Sequence, residues 1–495
     1  MIDHSQAIEE AKLGGTLLML IAGEARLAVE GDTLESFDPA TGEAIARFPN
    51  ARQADVDMAV EAARGAFDEG PWYHDWGPYK RAKCLQALAG LCREHEKDLA
   101  RVEALDMGMA FGFARKFSAK SLVRNLEYYA GWADKMYGEI IPGAANDVFQ
   151  YTRREPYGVV GAIYPWNAPL MFVGAKLGPA LAAGNVVILK PSELGCLSTL
   201  RFATLVKEAG FPDGVIQVVT GDGETGRCLV QHPRVDKLSF TGGRHTARLV
   251  QKAAAEPLTP VLFELGGKSP NIIFADADLS KATMLSTMGV FGLSGQACAA
   301  GTRLLVERSV YQQVVDGICA FAKGLPLGDP MGRMTMLGPL VSASQKARVL
   351  AAIEQGVAEG ATLATKVDVP SKLGDAGHFV GPHVFTDVTP EMALWREEIF
   401  GPVLCITAFD TEKEAITLAN QTEYGLAAGV WTQDRDRADR MVRRLDAGLV
   451  WVNTYGSLPV SVPFGGFKQS GWGKEGGRDA LASYSRVKSV VMQGT

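Results

Sequence analysis

The chain has 495 residues and a mass of 53.0 kDa, which exceeds one compact domain and suggests roughly two to four. Hydrophobic residues make up 47% and charged residues 21%, so a large core can be buried and general disorder is not expected. The net charge is −6, without a long basic run, which argues against nucleic acid as the main partner.

The N-terminal segment shows no targeting or membrane signal. Met1 to His4 lack the basic stretch that begins a signal peptide. The apolar run Leu13–Gly23 is far shorter than the ~20 residues that a spanning helix needs, and Tyr157–Ala175 is interrupted by prolines. The seven cysteines form no CxxC pair or zinc pattern, which favours reduced thiols, no metal site and a cytoplasmic location.

Hydrophobic residues at helical spacing predict two early helices, over Ala54–Phe67 and Lys80–Val102. From about residue 157 short apolar strands alternate with helical segments, which predicts a parallel sheet covered by helices. The predicted strands are Val159–Tyr164, Asn185–Leu189, Val215–Thr220 and Lys237–Phe240, and the predicted helices are Lys176–Ala183, Ser198–Ala209 and Thr225–Gln231.

A second series of the same kind begins after Pro260, so two α/β lobes are predicted, with a boundary near Gly266-Gly267. Lys366–Gly381 is predicted to be a loop, and the tail Ser483–Met492 alternates like an exposed strand. The second series has the predicted strands Val261–Glu264, Asn271–Phe274, Arg303–Val306, Val403–Phe409 and Leu449–Asn453, and the predicted helices Val310–Lys323, Ser342–Glu359, Glu412–Asn420 and Asp434–Arg444.

One cysteine stands apart from the other six. Cys298 lies among small residues in Gly295-Gln296-Ala297-Cys298-Ala299, which leaves its thiol approachable, and a thiolate is a strong nucleophile near neutral pH. Taken alone it would be interpreted as a core residue, so its partners decide the matter. The six cysteines interpreted as core residues are Cys84, Cys92, Cys196, Cys228, Cys319 and Cys405.

Two polar residues are candidate partners for this thiol. Glu264 ends an apolar strand before a glycine turn, so its carboxylate is well placed to face a cleft. In isolation, a solvated acid or a salt bridge with Lys268 is the preferred interpretation. Asn167 lies between Pro165 and Pro169. Because prolines stiffen the backbone, the Asn167 amide is a candidate fixed donor, and an Asx turn explains it about equally well.

Three motifs bear on a nucleotide cofactor. Gly221-Asp222-Gly223-Glu224-Thr225-Gly226 matches GxGxxG, a weak signal because glycine turns are common. Phe240-Thr241-Gly242-Gly243 ends a strand before a helix whose amides could hold a pyrophosphate. In Lys190-Pro191-Ser192-Glu193, after another strand, a glutamate could accept hydrogen bonds from ribose hydroxyls and would repel a 2′-phosphate.

In this order the motifs resemble the aldehyde dehydrogenase superfamily, from about Asp38 to the tail. The matching stretches are Pro165-Trp166-Asn167, Lys190-Pro191-Ser192-Glu193, Phe240-Thr241-Gly242, Glu264 to Pro270, Gly295 to Cys298, Glu398 to Pro402, and Pro463 to Gly466. The resemblance implies an α/β fold of two parallel-sheet lobes with a small β oligomerisation arm. The expected domains are a Rossmann-like NAD-binding domain (1–136 and 158–265), a catalytic domain (266–469) and the arm (137–157 and 480–495).

The resemblance also implies oxidation of an aldehyde to its acid through a thiohemiacetal and a thioester on Cys298. Asn167 and the Cys298 N–H would stabilise the oxyanion, and Glu264 would activate water. Lys176 and Glu475 would line a proton relay. The implied cofactor-binding residues are Tyr164, Pro165, Trp166, Lys190, Ser192, Glu193, Gly223, Phe240, Thr241, Gly242, Gly243, Leu265, Gly266, Glu398 and Phe400, with the GxGxxG turn near the adenine. Because Glu193 is present, NAD is expected over NADP.

Three positions depart from the family pattern: Gly243 replaces a serine, Ala247 a glycine and Leu293 an asparagine. Small side chains at positions that carry aromatic walls in many relatives predict a wide apolar pocket. We therefore expect bulky aromatic, terpenoid or long-chain aldehydes as substrates. The expected pocket residues are Ala168, Ala175, Ala297, Ala299, Leu458 and Phe464.

Two alternatives to this function are weighed. A CoA-acylating aldehyde dehydrogenase shares the nucleophile and cofactor, but Glu264 favours hydrolysis because transfer to CoA does not need that base. A catalytically silent relative is disfavoured by the set of Cys298, Asn167 and Glu264. The hairpin region Tyr137–Arg154 and the tail strand resemble the family's oligomerisation arm, so a homo-oligomer, dimer or tetramer, is expected.

Overall fold

The structure is a computed structural model that describes residues 4–143 and 148–493. The remaining segments, 1–3 in the predicted NAD-binding domain and 144–147 and 494–495 in the predicted arm, lie outside the described residues. Within the described ranges, no helix combines the length and the apolar composition that crossing a membrane requires.

Strands and helices alternate along most of the chain. The strands are β1 Met19–Ile21, β2 Glu24–Arg26, β3 Thr33–Phe37, β4 Ala44–Pro49, β5 Ile140–Ile141, β6 Val148–Pro156, β7 Val159–Tyr164, β8 Val186–Pro191, β9 Ile216–Val218, β10 Lys237–Gly242, β11 Val261–Leu265, β12 Pro270–Ile273, β13 Arg303–Glu307, β14 Thr362–Lys366, β15 His383–Thr386, β16 Val403–Phe409, β17 Tyr424–Gly425, β18 Ala427–Trp431, β19 Leu449–Val452, β20 Phe467–Lys468, β21 Gly471–Trp472 and β22 Ser485–Gln493. The α-helices are α1 His4–Glu10, α2 Gln53–Asp68, α3 Pro71–His74, α4 Pro78–Glu94, α5 Glu96–Met107, α6 Phe111–Phe113, α7 Lys120–Ala130, α8 Pro169–Ala182, α9 Leu197–Ala203, α10 Gly223–Gln231, α11 Arg244–Ala255, α12 Leu279–Phe291, α13 Tyr311–Lys323, α14 Ala343–Ala358, α15 Ala393–Arg396, α16 Glu412–Asn420, α17 Arg435–Arg444 and α18 Asp479–Ser483.

The first sheet, counted over the described residues, has eight strands in the order β2-β1-β9-β8-β7-β10-β11-β21. The five central strands, β9, β8, β7, β10 and β11 in spatial order, are parallel, whereas β1 and β21 pair antiparallel beside them. Every residue of β8 is buried, as expected for a parallel strand that helices cover on both faces. The predicted parallel sheet is therefore confirmed.

The second sheet has the order β14-β15-β16-β13-β12-β18-β19. All its pairings are parallel except that of the edge strand β14, which is antiparallel to β15. Large apolar clusters pack on its two faces.

In the first sheet, the carboxyl ends of the parallel strands share one edge, so the segments that follow β7, β8, β10 and β11 meet at that edge.

Three helix predictions were wrong in their bounds. The helix predicted over Lys176–Ala183 begins already at Pro169 and ends at Ala182. Lys80–Val102 is not one helix, because α4 ends at Glu94 and α5 begins at Glu96, with His95 between them at φ −92° and ψ 10°. Neither glycine nor proline marks this break, so the apolar spacing runs through it. The helix predicted over Ser198–Ala209 ends at Ala203 and continues as turns.

A third, smaller sheet joins two distant parts of the chain. β22 pairs antiparallel with β6 along its whole length, from Ser485 opposite Pro156 to Gln493 opposite Val148. β5 pairs with the other side of β6. The predicted tail strand is thus confirmed, and its partner is the strand of the predicted hairpin region.

Candidate active site

Cys298 follows a loop with an unusual backbone. After α12, residues Leu293, Ser294 and Gly295 have φ of 54°, 54° and 76°, a left-handed region that residues other than glycine rarely adopt. The Ser294 hydroxyl donates to the Gly338 carbonyl at 2.7 Å and anchors the loop. Cys298 itself is half-buried, so its thiol can be reached from a cavity while the backbone beside it is held in place.

The structure brings Asn167 against this loop. Asn167 lies between β7 and α8, and its Nδ2 donates to the carbonyl of Gln296, two residues before Cys298, at 2.9 Å. The Asn167 Oδ1 is buried and, among the described residues, has no hydrogen-bond partner. The side chain is therefore directed at the nucleophile loop, and an amide nitrogen has a second N–H with which to bind a ligand.

Glu264 is a buried acid without compensation. It is 3% exposed, and neither carboxylate oxygen has a hydrogen-bond partner within the described part of the chain. Burial raises the pKa of Glu264 well above its usual value, Glu475 raises it further, and Lys176 and Lys474 oppose the rise. A carboxyl group of raised pKa accepts a proton near neutral pH, as a general base must.

The alternative interpretation of Glu264 as a salt-bridge partner was wrong. Lys268 is fully buried, and its Nζ has no hydrogen-bond partner among the described residues. Instead, the Glu264 carboxylate faces Gly465, where an added Cβ would lie 2.4 Å from Oε1. The absence of a side chain at Gly465 therefore makes room for the Glu264 carboxylate.

The Cys298 thiol is held in its protonated form. Burial raises its pKa to about 12, and the negative charges of Glu398 and Glu264 add to the effect. A thiolate at this site therefore needs help, either from a positive charge brought by a ligand or from transfer of the proton as bond formation begins.

Lys176 and Glu475 form a buried pair behind Glu264. The Lys176 Nζ donates to Glu475 Oε1 at 2.7 Å and to the hydroxyls of Ser239 and Thr241 at 2.9 Å each. All three donors of the ammonium group are thus used. Sequence reasoning placed Lys176 and Glu475 near the site but missed Ser239, which is separated from them by 63 and 236 residues.

A cleft of about 850 Å³ follows the carboxyl edge of the first sheet. In it, Lys190 Nζ lies 3.9 Å from the carboxylate of Glu193, and an added Cβ at Gly223 or Gly243 would meet no atom within 4 Å. The cleft therefore has open space beside both glycine motifs. The predicted cofactor-binding residues that line it are Tyr164, Pro165, Trp166, Lys190, Ser192, Glu193, Gly223, Phe240, Thr241, Gly242 and Gly243.

A second cavity, of about 390 Å³, contains the chemistry. Cys298, Glu264 and Asn167 all line it, together with the remaining predicted cofactor residues Leu265, Gly266, Glu398 and Phe400. The two cavities share the lining residues Pro165, Trp166, Thr241, Gly242 and Gly243. They therefore form one groove that leads from the Lys190–Glu193 end to the nucleophile.

Glu398 and Phe400 are fixed where the groove meets Cys298. The Gly267 N–H donates to Glu398 Oε1 at 3.1 Å, and burial raises the pKa of Glu398 to about 7. Phe400 has φ of 59°, and its ring stands edge-on to that of Trp166 with centroids 5.4 Å apart. These contacts give the groove a rigid end.

The predicted substrate-pocket residues differ in exposure, and none of the six lines the cavity of Cys298 or the cleft beside it. Ala297 and Ala299 flank Cys298 and are half-buried, Ala168 is buried at the start of α8, and Ala175 is half-buried in α8. Leu458 is 40% exposed. Phe464 is half-buried, and its backbone pairs with Glu475 through two hydrogen bonds, which links the predicted pocket to the relay pair.

Some residues of the second cavity were missed by sequence reasoning. They are polar or charged side chains, contributed by α11, α14, the segment between α15 and β16, and β17: Arg244, His245, Arg248, Gln345, Arg348, Glu397 and Tyr424. One signal could have found the first three, because cations in the first turns of a helix oppose its dipole and call for another explanation.

Comparisons with known proteins show the family of the chain. A family model described as "Aldehyde dehydrogenase family" matches residues 27–490. The chain is 43% identical to "Aldehyde dehydrogenase family 2 member C4" of Arabidopsis thaliana, over 96% of this chain and 94% of the relative. It is 44% identical to "Aldehyde dehydrogenase, cytosolic 1" of Mus musculus, over 92% and 91%.

A solved structure gives the same result at the level of the fold. An NAD+ complex of an aldehyde dehydrogenase from Bacillus cereus superposes with a TM-score of 0.95 and is 45% identical to this chain. The match covers 98% of each chain.

Proposed function

This chain belongs to the aldehyde dehydrogenase family and is an NAD-dependent aldehyde dehydrogenase, and we propose that it oxidises a bulky apolar aldehyde to its acid through Cys298. The observation that carries the proposal is the second cavity, which brings Cys298, Glu264 and Asn167 together at the end of the large groove. Residues far apart in sequence meet there in the combination that acyl chemistry at a thiol requires.

The first step is attack of the Cys298 sulfur on the aldehyde carbonyl, in which the C–S bond forms, the C=O π bond breaks and the thiol proton passes to solvent water. The carbonyl oxygen gains negative charge as the thiohemiacetal forms. The free N–H of the Asn167 amide and the backbone N–H of Cys298 would stabilise that charge. The bond from Asn167 to the Gln296 carbonyl fixes the amide beside the loop, so the donor needs no reorganisation during the reaction.

The groove fits NAD in size and in the chemistry of its lining. Glu193 and Lys190 would hold the adenosine ribose, and Glu398 would hold the nicotinamide ribose beside Phe400. The open space at Gly243 leaves room for the pyrophosphate. When bound, NAD supplies a hydride acceptor, which converts the thiohemiacetal on Cys298 into a thioester.

Glu264 would act in the hydrolytic step. Its raised pKa and unpartnered oxygens suit a group that takes a proton from water as the water attacks the thioester. The products are the carboxylate of the acid and the free Cys298 thiol: one water proton returns to the sulfur, and the other, held by Glu264, would leave through the Lys176–Glu475 pair. Transfer to CoA would need no such base, so Glu264 favours hydrolysis over the CoA-acylating alternative.

The experiment that tests this function is an aldehyde panel followed by NADH absorbance, with NAD or NADP and with or without CoA. We expect NADH and the free acid with NAD, no requirement for CoA, and at least tenfold lower kcat/KM with NADP because of the charge of Glu193. Absence of NADH with every aldehyde would refute the function, whereas formation of an acyl-CoA would favour the alternative.

The substrate class rests on the small residues around Cys298, and it needs its own test. We expect kcat/KM for a bulky apolar aldehyde to exceed that for acetaldehyde at least tenfold. Leu458→Phe should lower the value for the bulky aldehyde and spare acetaldehyde. Leu363→Phe in β14 is the matched control, since Leu363 is similarly exposed, at 38%. Comparable values for both aldehydes in the wild-type enzyme would refute the preference.

We also propose that the chain forms a homo-oligomer, either a dimer or a tetramer, and that it is located in the cytoplasm. The NAD-binding domain (1–136 and 158–265) and catalytic domain (266–469) carry the two sides of the groove. The three-stranded sheet of the arm exposes Ile140 and Val491, apolar residues that a partner subunit would cover. Light scattering should give a multimer, and Val491→Lys should reduce its size; a monomeric wild-type protein would refute the assembly.

A further inference from the structure

Arg244, the first residue of α11, lines the second cavity and reaches from it to the residues that flank β17 and β20. Its Nη1 donates to Glu423 Oε2 at 2.7 Å and to Gln469 Oε1 at 3.0 Å. Its guanidinium lies over the ring of Tyr424, with Cζ 4.1 Å from the centroid. The side chain is largely buried, at 17% exposure. We refer to these contacts of Arg244 with Glu423, Tyr424 and Gln469 as the Arg244 bridge.

The far side of the bridge is held by regular backbone pairing. Tyr424 pairs with Lys468 in the short ladder of β17 and β20. The Gln469 N–H donates to the Glu423 carbonyl at 3.0 Å. The residues that receive the guanidinium therefore have a fixed relative position, and the bridge joins two ordered elements rather than two mobile side chains.

Arg248, one turn further along α11, reinforces the bridge. Its Nη2 donates to the same Gln469 Oε1 at 3.2 Å. Cations in the first two turns of a helix oppose the helix dipole, so neither arginine is placed there to stabilise α11. Their hydrogen bonds to Glu423 and Gln469 explain why both are present.

The bridge lies where a bound dinucleotide must pass. Arg244 directly follows Gly242 and Gly243, which line both cavities. Arg244, Arg248 and Tyr424 line the cavity of Cys298. A ligand that extends from the Lys190–Glu193 end to Cys298 therefore runs beside the bridge, with a positive charge in the wall that favours an anionic ligand.

We propose that Arg244 is a cofactor-retaining residue: its bridge closes the groove over bound NAD or NADH and must open before the dinucleotide leaves. The inference rests on the proposed course of the cofactor along the groove. It assigns a role to a side chain that touches neither Cys298 nor Glu264 in the structure. It also gives the groove a closing contact that the loss of the serine hydroxyl at Gly243 does not affect.

The test is the dissociation rate of NADH, measured without aldehyde by displacing fluorescent NADH with excess NAD in a stopped-flow instrument. Arg244→Met keeps the apolar stem and removes the hydrogen bonds. We expect its dissociation rate to be at least tenfold faster than that of the wild type. The wild-type rate should also increase with salt, because the Arg244–Glu423 pair is partly exposed, and the variant should lose this dependence.

Two further variants keep the inference falsifiable. Glu423→Gln should raise the rate about threefold, and adding it to Arg244→Met should cause no further increase, as expected for two ends of one contact. Arg234→Met is the matched control, because Arg234 pairs with Glu61 on the surface away from the groove and should leave the rate unchanged. If Arg244→Met does not fold, the rate of Glu423→Gln decides.

The outcomes separate this inference from the proposed function. Suppose that NADH binds to the wild type but dissociates from the Arg244→Met and Glu423→Gln variants at rates within twofold of the wild-type rate. That result would overturn only the proposed role of the bridge. A wild-type protein that binds no NADH would overturn the proposed course of the cofactor as well.

Discussion

Two groups of buried polar side chains meet behind the active-site cavity, and they differ in how their hydrogen-bonding atoms are satisfied. Lys176 uses all its donors on Glu475, Ser239 and Thr241. Glu264 lies in β11, the strand next to that of Ser239 and Thr241. Neither of its carboxylate oxygens has a hydrogen-bond partner among the described residues. Burial is similar in the two groups, so accessibility alone does not account for the difference.

This difference distinguishes side chains that stabilise the fold from side chains that take part in the reaction. Buried polar atoms in folded proteins nearly always have partners, and each exception needs an explanation. The satisfied group around Lys176 stabilises the fold. The unsatisfied oxygens of Glu264 cost stability until water, aldehyde or another reactant binds, which is the usual relation between an active site and its scaffold. Substitutions at four positions test this division, first through their effects on activity and then through their effects on stability.

Cys298→Ala should reduce dehydrogenase activity by about 10⁴-fold or more, because removing a nucleophile removes the covalent pathway. NADH formation with a good aldehyde substrate measures the loss. Cys319→Ala is the matched control, since Cys319 is also a half-buried free thiol and lies in α13, outside both cavities. Activity of Cys298→Ala within tenfold of the control would show that the nucleophile lies elsewhere.

Glu264→Gln should lower kcat by about 10²–10⁴-fold, the range for loss of a general base. Because Glu264 acts after the thioester forms, a burst of NADH of one equivalent per site should remain. Rapid mixing with NAD and aldehyde measures burst and steady state together. The exposed Glu208→Gln serves as control, and loss of the burst together with turnover would place Glu264 in the first step instead.

The same variant should be more stable than the wild type at neutral pH. The pKa of Glu264 is raised in the folded state, so the folded protein keeps a proton that the unfolded chain loses above pH ~4.5. Wild-type stability therefore falls as pH rises from there until the folded pKa is passed. Glutamine has no such loss, so its advantage should grow between pH 5 and 8, to about 1–3 kcal/mol. Denaturant unfolding at both pH values measures it, and a constant difference would contradict the assignment.

Lys176→Met tests the satisfied group. Removing one partner of a buried ion pair leaves the other charge uncompensated, which costs about 3–5 kcal/mol. Replacing both partners, as Lys176→Met with Glu475→Gln, should restore part of that loss. Denaturant unfolding of the two single variants and the double variant gives the coupling. Losses that simply add would show that the two side chains do not act as a pair.

The sequence predicts the reacting groups better than their surroundings, and the reason is the range of the contacts. Cys298 and Glu264 lie in short motifs whose small residues and glycine turn mark them as candidates, although each taken alone is better explained as a residue without a catalytic role. Ser239 reaches Glu475 across 236 residues, and Arg244 reaches Glu423 across 179. No local pattern encodes such pairs, because each member is an ordinary polar residue until the sheets bring them together.

The fold follows the same rule. Most parallel strands of the two sheets are short apolar runs, so β7 to β13, β16 and β19 could be predicted from composition and spacing, whereas β15 and β18 of the second sheet were missed. The break between α4 and α5 could not, since His95 has neither the rigidity of proline nor the freedom of glycine. Nor does the sequence state that β22 pairs with β6, because an exposed alternating strand is compatible with many partners.

The smallest expected effect concerns the loop before Cys298, where Leu293 takes a left-handed conformation with φ of 54°. An L-residue there costs about 1–2 kcal/mol relative to glycine. Leu293→Gly and Leu293→Ala lose the same apolar contacts, yet the glycine variant should be the more stable by about 1 kcal/mol.

At Ala320, an exposed residue in the right-handed helix α13, the order should invert, so Ala320→Gly should lose about 0.5–1 kcal/mol. Thermal or denaturant unfolding of the four proteins measures both differences. The same order at both positions would show that Leu293 is unstrained. If glycine is the more stable residue at position 293 and alanine at position 320, the backbone of Leu293 is strained. Backbone strain then belongs, like the unsatisfied oxygens of Glu264, to the part of the site that reacts.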